Sequence, residues 1–322
     1  MKRALAAVLS LTLLAFAGGC SSSTDTEENE TGYTVDTLTM TYVESPLNVP
    51  SVIEKNKGSF EAAYKEKGLD VAYANLDSGA DQTAALASGD VQILNAVGGS
   101  SVILSAANGA DIKIIGMYST SPKAFRLFSA DESINSPEDL RGKTVAGPKG
   151  TNLHELIVAY LATANMTVDD VNFVDMAIPD ALAALEGGSI DAALLAGPVA
   201  HNAEKAGKHM VADGDGLISG SILTATTQKF YDENKELVDT FLAVQNETLD
   251  FIENNHDEAI SIYAEATGLE AEDVEKMFTL YDFRSELTDD DLAALQKTAD
   301  FMKNNGLIET EVDVTTLPLE MK

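Results

Sequence analysis

The 322-residue sequence has no tryptophan and a single cysteine, Cys20. One cysteine cannot form an internal disulfide, and a chain of this length does not need one to build a hydrophobic core. Basic residues are also scarce, since 21 Lys and Arg stand against 52 Asp and Glu. Such an acidic chain repels a phosphate backbone, so we expect no nucleic-acid partner.

Common catalytic and metal-binding motifs are missing as well. The sequence contains no G-x-S-x-G nucleophile elbow, no P-loop and no G-x-G-x-x-G after a strand. The four histidines, His154, His201, His209 and His256, are scattered, without a close pair at the spacing of a zinc site. We therefore expect neither an enzyme nor a cofactor or metal site.

Residues 1–20 have the pattern of an export signal. The segment begins with Lys2 and Arg3, continues with an almost wholly apolar run over residues 4–17, and ends in AGGC at Cys20. The run is shorter than the roughly 20 residues that a membrane-spanning helix needs. AGGC resembles the bacterial lipobox, which implies that Cys20 is lipidated and becomes the new N-terminus.

The segment after Cys20 is predicted to be a flexible tether over residues 21–34. Residues 21–32, SSSTDTEENETG, contain no aliphatic or aromatic side chain that could offset the entropy of ordering. Loss of the signal leaves 19 basic against 52 acidic side chains, a formal charge of −33. We expect an extracytoplasmic protein that the lipid anchors to the cell membrane.

From Leu38 onward, short β-type runs alternate with helical patterns, including a helix over Gln82 to Ala87, and the alternation restarts after Pro122. This order predicts an α/β fold with mainly parallel sheets flanked by helices. We expect one lobe from residues 35–121 and 217–322, where residues 228–306 are helical, and a second lobe from residues 122–216. The hinges are expected near residues 119–123 and 216–221.

Two segments of the sequence echo each other. AALASGDVQILNAVG, residues 84–98, aligns without gaps to AALEGGSIDAALLAG, residues 183–197. Each reads as the end of a helix, a glycine turn, a buried strand and a glycine that opens a loop. The echo supports two lobes of related structure.

The ligand site is predicted at the loops that follow the strands. In open parallel sheets, ligands lie beyond the carboxyl ends of the strands, where the next helices present unpaired N–H groups. Ordinary turn and cap chemistry is the alternative for each loop. The candidate ligand-binding residues are Ser45, Gly99, Ser100, Ser101, Tyr118, Thr151, Asn152, His154, Gly197 and Pro198.

The strongest single candidate is the segment Gly98 to Ser101, because glycines let the backbone approach an oxyanion and the serines offer hydroxyls. The segment Gly150 to Asn152 is its counterpart in the other lobe. His154 falls on the first turn of the following helix, where it either faces a ligand or packs. No motif assigns a role to the nearest basic residues, Lys123, Arg126, Lys149 and Arg284.

Several longer motifs resemble the sulfonate, taurine and nitrate solute-binding proteins of the THI5/NMT1-like family, which also includes thiamine-pyrimidine binders. They are ALASGDVQI, GADIKIIG, SPEDLRGKTVAGPKGTNLHELI, DALAALEGGSIDAALLAGP and ADFMKNNGLI, and the likeness covers residues 38–314. It implies a type II periplasmic-binding-protein fold with the ligand in the interlobe cleft. It also implies an ABC importer component that delivers a small anionic solute to a permease and its ATPase.

Other functions remain open on the sequence. The same fold could bind a thiamine-pyrimidine precursor, and one branch of the family makes that pyrimidine with a cysteine-rich motif, which is absent here beyond Cys20. A surface adhesin or sensor lipoprotein would account for the signal and tether but not for the two α/β blocks.

Overall fold

The computed structural model describes residues 32–43, 46–76 and 78–320. The expected signal, Cys20 and most of the tether lie outside the described residues, as does the candidate ligand-binding residue Ser45. Contacts with the folded part begin at Tyr33, whose hydroxyl donates to Glu236, and Thr34, whose N–H donates to Asn234 Oδ1 at 2.9 Å. The last two residues of the expected tether therefore contact the folded part.

The first part of the chain alternates strands and helices, as predicted. Its elements are β1 (Thr37–Thr41), α1 (Val49–Lys57), α2 (Ser59–Lys65), β2 (Asp70–Ala74), α3 (Gly79–Ser88), β3 (Leu94–Gly98), α4 (Gly99–Ala107) and β4 (Lys113–Thr120).

The alternation restarts after Pro122, again as predicted. The elements are β5 (Phe125–Ser129), β6 (Thr144–Gly147), α5 (Asn152–Ala162), β7 (Asn172–Asp175), α6 (Ile178–Glu186), β8 (Ala192–Ala196), α7 (Gly197–Lys205) and β9 (His209–Asp213), with short 3₁₀ helices at Pro122–Ala124, Pro137–Leu140 and Val168–Asp170.

The C-terminal part is mainly helical and packs on the sheet that contains β3 and β4. It contains β10 (Ser221–Thr226), α8 (Gln228–Asn254), α9 (His256–Thr267), α10 (Ala271–Phe278), β11 (Asp282–Phe283), α11 (Asp289–Asn304) and a 3₁₀ turn at Val314–Thr316. Within the described residues, no helix is both long enough and apolar enough to span a membrane.

The sheets are mixed, which corrects the expectation of mainly parallel sheets. One sheet has the order β11-β4-β10-β3, with β1-β2 joined to it by a bridge between Met40 and Ile93, and the other has the order β7-β6-β8-β5-β9. β10 runs antiparallel to both β3 and β4, and β5 runs antiparallel to both β8 and β9. Each of these strands directly follows a crossing between the sheets. It therefore enters its sheet at the carboxyl ends of the parallel strands and runs antiparallel to them.

The two crossings lie side by side at the predicted hinge segments. β4 ends at Thr120 and β10 begins at Ser221, and between them Ser121 N–H donates to the carbonyl of Gly220 at 3.1 Å. The two segments that join the sheets are therefore bonded to each other.

The echoed segments fold alike. Residues 84–98 run from α3 through a turn into β3, and residues 183–197 run from α6 through a turn into β8. All five residues of β8 are buried, and four of five are buried in β3. Each strand leads directly into a helix, α4 after β3 and α7 after β8. The repeated unit therefore places one helix N-terminus at the end of one strand in each sheet.

Candidate ligand-binding site

A cavity of about 80 Å³, here called the cleft cavity, lies where β3 and β8 end. Ala96 and Gly98 come from β3, and Ala196 comes from β8 in the other sheet. One buried water needs about 10–15 Å³ of cavity volume, so the cavity has room for a small solute. Apolar side chains complete the wall: Val43, Pro46, Phe125, Pro148, Leu153, Ile178 and Ile222.

Within the described residues, six helices begin at the cleft cavity. The first N–H groups of a helix have no intrahelical partner and carry partial positive charge. Except in α3, the N-cap side chain accepts no hydrogen bond from its own helix. Three of the helices, α1, α6 and α7, have a proline without an N–H in the first turn, and Ser100 N–H of α4 donates to Asn152 Oδ1 at 3.3 Å. The remaining first-turn N–H groups suit an anion. The lining residues at these helix starts are Asn48 (α1), Gly79 (α3), Gly98 (α4), Thr151 (α5), Ile178 (α6) and Ala196 (α7).

The polar side chains of the cavity are neutral. Asn48, Gln82, Ser101, Thr151 and Asn152 contribute to the lining, and no described lining residue is ionisable. Gln82 is buried and donates from Nε2 to the carbonyl of Leu76 at 3.0 Å, but its Oε1 has no hydrogen-bond partner. Recognition at the described wall would therefore depend on dipoles and hydrogen bonds.

The two loops with the strongest sequence signal touch each other across the cleft. Ser100 Oγ donates to Asn152 Oδ1 at 2.8 Å, and Ser101 Oγ donates to the carbonyl of Gly150 at 2.9 Å. Asn152 Nδ2 donates to the carbonyl of Ser221 at 3.1 Å, close to the second crossing. The structure thus brings together residues that lie about 50 positions apart in sequence.

Glu155 stands behind this contact. Its carboxyl group is buried, shares the single hydroxyl proton of Ser100 with Asn152 Oδ1, and accepts a hydrogen bond from the Thr298 hydroxyl. Burial raises the pKa of the Glu155 carboxyl, and the two hydroxyl donors partly offset that effect. The carboxyl group links α4, α5 and α11 through its hydroxyl partners.

Ala96 has a backbone conformation that a non-glycine residue rarely adopts. Its φ is 74°, and the pairing of β3 with β10 skips this residue, since Val97 pairs with Leu223 and Asn95 pairs with Thr224. Ala96 is therefore a β-bulge in the left-handed region, a conformation that costs about 1–3 kcal/mol. Strain of this kind is common next to binding sites.

The predicted residues divide into two groups. Ser101, Thr151 and Asn152 line the cleft cavity. Ser100 instead lines a neighbouring cavity of about 410 Å³, here called the His154 cavity. Gly99 faces away, because a Cβ there would meet Leu295 and the carbonyl of Ser221, so Gly98 lines the cavity in its place.

Tyr118 and His154 do not line the cleft cavity. The Tyr118 hydroxyl bonds with Ser51 Oγ at 2.9 Å in the core. His154 lines the His154 cavity, where its ring packs against Phe173 with the ring centroids 4.8 Å apart. Its Nδ1 accepts the N–H of Gly150 at 3.3 Å. Burial lowers the pKa of His154 to about 4, so the ring is neutral at pH 7. Packing is the interpretation that fits this histidine.

Gly197 and Pro198 also lie beside the cleft cavity, not in its wall. Gly197 has a φ of 56°, and a Cβ added to it would stand 2.0 Å from the carbonyl oxygen of Pro46. Its absent side chain therefore lets the Pro46 loop close onto the start of α7. Pro198 occupies the first turn of α7.

The basic side chains singled out earlier are engaged elsewhere. Lys123 pairs with Asp215 at 3.3 Å, Arg126 with Glu204 at 2.9 Å and Arg284 with Asp291 at 2.6 Å. Lys149 lines the His154 cavity. No described basic residue lines the cleft cavity.

Some residues that line the cleft cavity were not predicted from the sequence, among them Asn48, Gln82, Phe125 and Ile178. Gln82 could have been found, because Ser78 caps α3 by accepting the N–H of Asp81 at 3.0 Å, a cap pattern visible in the sequence. The helix begins at Gly79, three residues before the predicted start, and this places Gln82 on its first turn. Phe125 and Ile178 had no signal beyond hydrophobicity.

The family model for NMT1/THI5-like proteins matches residues 49–259. The chain belongs to this family. The match runs from α1 into α9 and, apart from Asn48, includes the lining residues at all six helix starts. The resemblance noted in the sequence is thereby confirmed.

Individual members are similar over different lengths. The taurine-binding periplasmic protein of Escherichia coli is 35% identical over 144 residues, which are 45% of this chain and 44% of that protein. The crystal structure of the periplasmic aliphatic sulphonate binding protein SsuA from Escherichia coli has a TM-score of 0.74 and 23% identity, covering 89% of this chain and 95% of the other. The alkanesulfonate-binding protein SsuA from Xanthomonas axonopodis pv. citri, bound to MOPS, has a TM-score of 0.80 and 21% identity, covering 89% and 99%. The two structures share the fold of this chain.

Proposed function

We propose that this chain is the extracytoplasmic substrate-binding component of an ABC importer and captures a small anion in the cleft cavity. The observation that carries the proposal is the convergence of six helix N-termini on a cavity whose described wall holds no ionisable side chain. Amide groups aligned with helix dipoles stabilise an anion at contact distance. The names of the taurine- and sulfonate-binding relatives support a sulfonate as the anion.

The overall charge of the chain supports a contact mechanism. The 31 excess negative charges repel an anion at long range. Salt screens such repulsion beyond about 8 Å at physiological ionic strength. Binding then depends on donors that act within hydrogen-bond distance, which is what the helix starts supply.

A thermal-shift panel tests the ligand class. The panel contains taurine, ethanesulfonate, nitrate, bicarbonate and the thiamine pyrimidine. A ligand that binds only the folded protein stabilises it by about 2.7 kcal/mol at 100 times its Kd. We expect a sulfonate to give the largest shift. A larger shift from the pyrimidine would favour the precursor-binding alternative.

Ser101→Ala is expected to weaken binding of the sulfonate identified in this way. The Ser101 hydroxyl lies in the cavity wall and holds Gly150 of the opposite loop, so its loss removes a hydrogen bond within the closed site. The expected loss is about 0.5–1.5 kcal/mol, or about twofold to thirteenfold in Kd. Calorimetric titration measures it.

Ser88→Ala is the matched control, because Ser88 has an exposed hydroxyl that bonds only within its own turn at Ala85 and Asp90. We expect its Kd to equal that of the unmodified protein. Equal Kd values for both variants would contradict a role for Ser101.

We propose that residues 35–121 with 217–322 form one lobe and that residues 122–216 form the other, closing about the paired crossings. The separate sheets and the bond between Ser121 and Gly220 support these boundaries. The partners in this proposal are the small-molecule ligand, a permease and its ATPase.

We further propose that Cys20 carries a lipid anchor. The support is the AGGC sequence at the end of an apolar run. Cys20→Ser is expected to move the protein from the membrane fraction to the soluble fraction with its ligand affinity intact, because one or two acyl chains supply the membrane attachment. Fractionation and titration of the released protein measure both results. Unchanged membrane association would rule out the anchor.

A further inference from the structure

A separate cavity of about 250 Å³ lies between α7 and α10 and is here called the α7–α10 cavity. Gly197 and His201 of α7 form one wall, and Lys276 and Met277 of α10 form the other. It shares no described lining residue with the cleft cavity. A ligand here would therefore be distinct from the solute held in the cleft cavity.

The first indication of a ligand is the hydroxyl of Tyr281. Tyr281 lines the α7–α10 cavity and is only 8% exposed, yet its hydroxyl has no hydrogen-bond partner. Its ring stacks on Phe283, with the centroids 5.4 Å apart. Burial raises the pKa of the hydroxyl, so it remains a protonated donor. An unsatisfied buried polar group costs about 1–3 kcal/mol, which an accepting ligand would recover.

A second unused donor belongs to Arg126 in the same lining. Arg126 Nη1 donates to Glu204 Oε2 at 2.9 Å, and Nε donates to the carbonyl of Lys123 at 3.0 Å. Among the described residues, Nη2 has no hydrogen-bond partner. The Arg126 side chain is only 14% exposed. The two hydrogen bonds fix the position of its guanidinium group.

Both cationic side chains of the lining are paired. Arg126 engages Glu204, the one acidic residue of the described lining, and Lys276 Nζ donates to Glu272 Oε1 at 2.8 Å. His201 Nε2 lies 3.0 Å from Asp273 Oδ1, outside the cavity wall. The unused donors of the site are the Tyr281 hydroxyl and Arg126 Nη2. Hydrogen bonds from a cationic donor to an anion are stronger than those to a neutral acceptor, so this pair favours an anionic ligand.

The rest of the lining is apolar and consists of Ala124, Ala200, Met277 and Leu280. Such a wall accommodates a short hydrocarbon part, with roughly 0.8 kcal/mol gained for each buried methylene group. An inorganic ion would leave this surface without a partner.

We propose that the α7–α10 cavity binds a small organic anion, whose oxygens accept from Tyr281 and Arg126 and whose short aliphatic part packs on Met277 and Leu280. Since α7 follows a strand of one sheet and α10 packs among the helices of the other, the bound anion holds the two parts together.

Calorimetric titration of the full chain with butyrate tests this site, with inorganic phosphate and n-butylammonium as comparisons. We expect butyrate to bind more tightly than phosphate and n-butylammonium not to bind. Tyr281→Phe keeps the stacked ring, and Lys276→Gln keeps the helix. Each should weaken butyrate binding by roughly fivefold to tenfold, the effect of one hydrogen bond or charge contact.

Lys65→Gln is the control for charge, because Lys65 lies on α2 and does not line this cavity. It should bind butyrate as the unmodified chain does, and so should Ser101→Ala in the cleft cavity. Absence of butyrate binding, or equal binding of n-butylammonium, would overturn the proposal. It would also fail if Ser101→Ala weakened butyrate binding and Tyr281→Phe did not, since butyrate would then occupy the cleft cavity.

Discussion

Gly197→Ala is expected to lower the free energy of unfolding by about 2–5 kcal/mol and to weaken ligand binding in the cleft cavity. The φ of 56° is strained for alanine, and the added Cβ would stand 2.0 Å from the carbonyl oxygen of Pro46. That atom belongs to the backbone and cannot rotate away. Pro46 lines the cleft cavity, so the shift that relieves the overlap moves a wall of the site.

Gly188→Ala is the matched control for this experiment. Gly188 has a φ of 70°, but a Cβ there would meet nothing within 4 Å. The variant therefore suffers the backbone strain alone, about 1–2 kcal/mol, and keeps its affinity. Urea unfolding and calorimetric titration of both variants separate strain from overlap. Equal losses of stability in the two variants would show that the Pro46 loop moves freely.

Two buried groups are expected to give opposite pH dependence of stability. Glu54 is fully buried, Asn95 Nδ2 donates to its Oε2 at 3.0 Å, and its Oε1 has no partner. Burial raises its pKa to about 7. A raised carboxyl pKa stabilises the fold at acidic pH, and this contribution is lost as pH rises from 4.5 to 7. The loss amounts to about 3 kcal/mol.

His154 acts in the other direction. Its pKa is lowered from 6.5 to about 4 by burial and by the charge of Lys149. The unfolded chain therefore takes up a proton first as pH falls, so stability is lost between pH 6.5 and 4, by about 3 kcal/mol. In the unmodified protein, the two effects partly cancel between pH 4.5 and 6.5.

The variants Glu54→Gln and His154→Gln separate the two contributions. Relative to the unmodified protein, Glu54→Gln should gain stability as pH rises from 4.5 to 7. His154→Gln should gain relative stability as pH falls from 6.5 to 4. Urea unfolding at several pH values measures both differences. Differences that stay constant with pH, or that change in the same direction, would contradict the assignment.

The loops of the site could be predicted from the sequence because their position depends only on where the strands end. Ser101, Thr151 and Asn152 meet at the cleft cavity since β3 and β6 both end there and lead into helices. Their role in ligand binding stays a prediction. The direction of a side chain is harder to predict, because it depends on one residue of register. Tyr118 is an example, since β4 is buried at four consecutive positions and no alternation marks the face of the cleft.

The antiparallel strands in the two sheets could not be predicted from the sequence, for a related reason. β5 and β10 are buried strands, and a strand buried on both faces has the same apolar pattern in either direction. Their direction follows from the place where the chain crosses between sheets, which is a property of the assembled fold. The α7–α10 cavity likewise depends on helices from distant parts of the sequence.

The neutral wall of the cleft cavity has a consequence for the proposed role outside the cytoplasm. There the acidity of the medium is set by the surroundings and not by the cell. No described lining residue gains or loses a proton, and the helix dipoles are the same at any pH at which the chain is folded. For an anion that stays ionised, as a sulfonate does, capture at this wall is then insulated from the chemistry of the habitat, and the supply of solute alone determines how much of the receptor is loaded.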